Sequence, residues 1–113
     1  MNAQAQLNQR SIEYGKAIVK KLEHDRRLWQ VPLQNLKRWK AARNGELPLP
    51  LLEWETILSS QPRHQIMAIL VGTDENSMRL RSSSPFTGIL THEERHEILK
   101  KTPITYQEVK IHL

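Results

Sequence analysis

Six prolines cut this 113-residue chain into short pieces, and each stands at or between the ends of helical patterns. Proline lacks an amide hydrogen and holds φ at roughly −65°, so it suits the first turn of a helix and breaks an interior. The residue before it avoids the α region. Pro32 therefore ends one helix and opens the next. Pro48 and Pro50 lie in a connector, Pro62 separates a third helix from a fourth, and Pro103 ends the last. Asn44-Gly45 adds a further stop, since both residues tolerate a left-handed C-terminal cap. No segment between these breaks shows the sustained apolar alternation of a half-buried strand until the last nine residues.

Between the breaks, apolar residues recur at three- and four-residue steps. From Ser11, a candidate N-cap, the stripe is Ile12, Gly15, Val19 and Leu22, widened by Ile18 and running to Trp29. Leu33, Leu36 and Trp39 line a second helix. Leu51, Leu52, Trp54, Ile57 and Leu58 line a third, over about 50–60. Ile66, Met67, Ile69 and Leu70 line a fourth, over about 63–71. A weaker helical segment covers 74–81. Residues 82–88 read as a loop, with Phe86 plugging the core. Thr91 with Glu94 three residues on is a capping box, opening a helix to about Lys101. The expected fold is all-α: a small compact bundle of about five helices. Residues 1–10 are expected to be disordered, 11–103 to form a single helical domain, and 104–113 to be an extended tail.

A chain of this length can bury roughly 60–70% of its extended surface, enough for one modest core. Trp29, Trp39 and Trp54 are half of its six aromatic residues, and their register with leucines and isoleucines assigns them to packing. There is no cysteine, which excludes disulfides and thiolate metal sites. The N-terminus is polar and lacks the apolar core of a secretory signal. The longest apolar run, 66–71, is far short of a bilayer span. A cytoplasmic, soluble protein with no membrane association is the expectation.

Charge is distributed unevenly. Ten of the seventeen basic residues lie in 10–43, with three acids among them. That segment carries a net +7, and the remainder −2. Concentrated positive charge steers and holds anionic partners. Lys16, Lys20 and Arg27 fall on one side of the first helical pattern, with Lys21 beside them. Lys37, Arg38, Lys40 and Arg43 crowd the second. If the two helices pack by their apolar stripes, these eight cations form one phosphate-binding surface. Val31, Leu36 and Trp39 also have the apolar spacing of a recognition helix in a helix-turn-helix. The preceding helix departs from that motif: Arg26 occupies the position of close helix crossing, and Gln30 replaces the usual glycine before the turn.

His92-Glu93-Glu94-Arg95-His96 matches H-E-x-x-H, in which two histidines one turn apart share a zinc ion and the first glutamate acts as base. Leu99 stands where the longer motif has glycine, and Glu97, Glu108 and His112 are the only downstream donors. The reading is therefore a charged outer helix face, with a zinc hydrolase at His92 and His96 as a remote alternative and no cofactor expected. Arg79 to Gly88 clusters two arginines with serines and a glycine, a composition able to cradle phosphate. It lacks the lysine of a P-loop, and an ordered connector is the expectation. No Ser/His/Asp grouping stands out. The function expected from these features is non-enzymatic nucleic-acid binding through 10–43. The alternative is a protein-interaction module that docks a protein partner through Leu47-Pro48-Leu49-Pro50-Leu51 and the tail, the latter also able to pair two copies in a homodimer.

Overall fold

The computed structural model describes residues 2–104. Within them the chain is all-α: α1 (Ala3–His24), a 3-10 turn (Arg26–Trp29), α2 (Gln30–Ala42), α3 (Leu49–Ser60), α4 (Arg63–Val71), α5 (Glu75–Arg81) and α6 (His92–Lys101). The extended tail expected over 104–113 lies outside the described residues from 105 onward. No helix among the described residues is long and apolar enough to cross a membrane.

α1 is the central rod, with α4, α5 and α6 packed along it. It begins earlier than the sequence suggested. Residues 3–10, expected to be disordered, form its first turns. Asn2 caps them by accepting from the Ala5 amide at 2.8 Å. The residues are Ala, Gln, Leu and Arg, all good helix formers, with one Asn among them. Arg10 then ties this end to the far side of the fold, donating to the Thr102 carbonyl at 2.7 Å. α1 also ends sooner than Trp29. Asp25 is extended (φ −142°) and its side chain accepts from the Arg27 amide. That local bond offers the backbone an alternative to the helix, and a 3-10 turn follows.

α2 starts at Gln30, with Pro32 inside its first turn, where its missing amide would have had no partner. It ends as expected, with Asn44 and Gly45 both at positive φ (57° and 88°). α3 opens at Leu49, one residue before the expected start at Pro50, so Leu49 belongs to the helix and not to the extended connector. α4 has the bounds its apolar pattern implied. Around Thr91 both halves of the capping box are made: Thr91 Oγ1 accepts from the Glu94 amide at 3.1 Å, and Glu94 Oε1 accepts from the Thr91 amide at 2.7 Å. An N-cap of this kind contributes about 1 kcal/mol.

The core gathers Leu22, Trp29, Trp54, Ile66, Leu70, Leu80, Phe86 and Ile89. Phe86 comes from the loop, as its sequence context implied, and meets two tryptophans edge-to-face: Trp29 at 6.2 Å and Trp54 at 5.6 Å between centroids. Trp54 is fully buried and its indole donates to the Leu80 carbonyl at 2.7 Å. Trp39 is only half-buried. The loop is clamped from α2, where the buried Asn35 amide donates to the Pro85 and Thr87 carbonyls, both at 2.8 Å. Gly15 is needed where α1 crosses α4. A Cβ there would stand 1.6 Å from the Leu70 carbonyl oxygen.

Candidate nucleic-acid interface

The eight candidate cations, of the ten in the basic segment, are not equivalent. The 3-10 turn stands between α1 and α2, and each of those helices packs on it rather than extensively on the other. The expected packing of α1 against α2 along their apolar stripes is therefore not what brings the basic residues together. Arg27 lies on the 3-10 turn, outside α1, so it does not share a helical face with Lys16 and Lys20.

Four of the eight are ion-paired. Lys21 donates to Glu94 on α6 at 2.7 Å and Lys40 lies 3.2 Å from Glu55 on α3. Both acids come from outside the basic segment. Arg27 holds Asp25 with two bonds, at 3.1 and 3.2 Å, and Lys16 is 3.4 Å from Glu13. These contacts perturb the acids. The Lys21 ammonium, with the Thr91 amide, holds the Glu94 carboxyl below its ordinary pKa. The Arg27 guanidinium does the same to Asp25. Exposed pairs of this kind contribute little to stability, but each offsets a charge that a phosphate would otherwise meet.

Lys20, Lys37, Arg38 and Arg43 are exposed and make no ion pair among the described residues. Lys20 lines a shallow groove between α1 and α6 together with Lys16 and Lys101, and Glu13 shares that groove. The other three belong to α2 and its C-cap. α2 contains no Asp or Glu. It buries Pro32, Asn35 and Leu36, which turns Gln30, Leu33, Gln34, Lys37, Arg38 and Ala41 to solvent along one side. Arg38 is held in place by donating to Asn35 Oδ1 at 2.8 Å, while the Asn35 amide clamps the loop. The guanidinium is thus oriented by a neutral side chain, without a carboxylate to discharge it.

Three contributors escaped the charge count. Gln30 and Gln34 are neutral donor–acceptors on the same side of α2 as Lys37, and Asn35 orients Arg38. The absence of any acid across thirteen residues was the sequence signal that could have singled α2 out. His92 and His96 lie exposed on α6. Glu94, between them, is engaged by Lys21 and Thr91. Among the described residues no three His, Asp or Glu side chains come together as metal ligands, and Glu108 and His112 lie outside those residues. Comparison of this chain with protein-family models, curated proteins and solved structures finds no match.

Proposed function

We propose that this protein is a small non-enzymatic nucleic-acid-binding protein whose contact element is the solvent side of α2, a narrower surface than the full 10–43 segment. The supporting observation is the acid-free helix carrying Lys37 and Arg38, neither in an ion pair among the described residues, beside Gln30 and Gln34. Lys37 and Arg43 act as phosphate-seeking charges. Arg38, oriented by Asn35, offers a planar fork suited to phosphate or to a guanine edge. The groove cations Lys20 and Lys101 form a secondary patch.

The test is fluorescence anisotropy with duplex DNA, single-stranded DNA and RNA across a salt series. Affinity for at least one of them falls linearly on a log–log plot against salt. Lys37→Gln combined with Arg38→Gln weakens binding about 10- to 100-fold and reduces the salt slope by about 2. Lys21→Gln, which removes a charge already held by Glu94, leaves the slope nearly unchanged. No binding to any of the three at low salt removes the proposal.

A second reading, a protein-interaction module, rests on a different feature. Leu49 opens α3 with 80% of its surface exposed, and Leu52 one turn on is 37% exposed. Exposed leucines at this spacing suit an apolar docking contact. Under this reading Leu49→Asp lowers the sedimentation mass of a self-associated species to that of the monomer. A native protein that is monomeric at high concentration excludes the homodimer form.

A further inference from the structure

We infer that the cleft between α1, the end of α5 and residues 82–90 binds a small phosphomonoester, with Arg81 and Arg95 as its cations. This goes beyond the α2 reading and does not depend on it.

The cleft has a volume of about 340 Å³, and its walls include Tyr14, Ile18, Arg81, Ser84, Thr87 and Arg95. Arg81 is the unusual member. It is only 9% exposed, yet no carboxylate lies within ion-pair distance among the described residues. Its partners are all neutral: Ser11 Oγ at 2.9 Å, the Ile69 carbonyl at 2.7 Å and Met78 Sδ at 2.7 Å. These bonds tie α1, α4 and α5 together and engage three of the five N–H donors of the guanidinium. They account for its hydrogen bonding but not for its charge. Burying a cation without a counterion in contact is costly, and burial pushes the Arg81 pKa down, partly opposed by the more distant Asp74 carboxylate at the start of α5. An anion arriving in the cleft would supply a closer counter-charge than Asp74 does.

Arg95, from α6, is a second arginine lining the same cleft. It is exposed and makes no ion pair among the described residues. Ser84 Oγ accepts from the Phe86 amide at 3.2 Å, which leaves its hydroxyl hydrogen for a ligand. Thr87 contributes another hydroxyl. A phosphomonoester carries about −1.5 to −2 charges and three acceptor oxygens at neutral pH, matching two guanidinium groups and two hydroxyls. A carboxylate would leave one cation uncompensated. Ile18, Phe86 and Leu90 line the remainder, so an apolar or aromatic body on the phosphate has a surface to bury.

The experiment uses the full chain and phenyl phosphate as probe, with phenol as the uncharged comparison. Binding is read from the arginine Nε–H resonances in ¹⁵N spectra. Phenyl phosphate is expected to shift the Arg81 and Arg95 signals saturably, and phenol to leave them in place. Arg95→Gln, an exposed position that should not disturb folding, weakens the affinity about tenfold or more, as expected for a lost charge-assisted bond. Lys37→Gln, on α2, leaves it unchanged. The inference is overturned if phenyl phosphate produces no saturable shift of Arg81 at millimolar concentration. It is equally overturned if Arg95→Gln binds as tightly as the native chain, or if phenol produces the same shifts.

Discussion

Gly15→Ala is expected to destabilise the protein by about 3 kcal/mol or more, the upper end of what overpacking costs. In an isolated helix the same change would help, because alanine is favoured over glycine by about 1 kcal/mol. The sign is reversed here by the α1–α4 crossing. The added Cβ would lie 1.6 Å from the Leu70 carbonyl oxygen and 2.7 Å from its carbon. Both are backbone atoms, so no rotamer change relieves the overlap. The helices would have to separate, and that would disturb Leu22 and Leu70 in the core and stretch the bond from Arg81 to the Ile69 carbonyl. Against a total stability of about 5–15 kcal/mol, the loss should lower the thermal midpoint by roughly 10–20 °C. Thermal unfolding followed by far-ultraviolet circular dichroism measures it. An unchanged or raised midpoint would mean that the two helices do not cross at this glycine.

The second large effect belongs to Trp54. Trp54→Ala removes a fully buried indole and is expected to cost about 3–5 kcal/mol. It also removes the edge-to-face partner of Phe86 and strands the Leu80 carbonyl, which accepts from Nε1 at 2.7 Å. Trp54→Phe separates these contributions. It keeps an aromatic ring and loses the hydrogen bond, so about 1–3 kcal/mol of the cost should remain. Trp39→Ala serves as the contrast, because Trp39 is only half-buried and should cost distinctly less. Urea unfolding of the three variants gives the ranking. Equal losses at Trp39 and Trp54 would contradict the placement of Trp54 at the centre of the core.

How much was legible beforehand depended on the range of the interaction responsible. The α4 bounds, the α6 start at Thr91 and the stop at Asn44-Gly45 could be read because each is made by neighbours in sequence: an apolar stripe bounded by proline and glycine, a reciprocal cap, and a left-handed pair. The break at Asp25 is equally local, yet it was hidden by apolar periodicity that continues through Trp29. Hydrophobic spacing reports which residues face inward and does not register one aspartate accepting from an amide two residues on. The first turns of α1 were missed for the opposite reason. Residues 3–10 have helix-forming side chains but little to bury, and Arg10 finds Thr102 ninety-two positions away.

The candidate site divides along the same line. Charge concentration in 10–43 was visible, as was the list of cations. Which of them are discharged was not, since Glu94 and Glu55 reach Lys21 and Lys40 from helices that a linear reading cannot bring alongside. The burial of Arg81 was likewise invisible: nothing in its sequence neighbourhood says that it will be buried against a serine, a carbonyl and a thioether.

Local chemistry was enough to specify an all-helical chain, most of its helix boundaries and its lopsided charge, because caps, prolines and apolar spacing act within a few residues. The assembled fold alone settled which lysines and arginines are ion-paired among the described residues and which glycine permits two rods to touch. Those outcomes depend on distances of a few ångströms between segments far apart along the backbone, and no spacing rule within one segment encodes them.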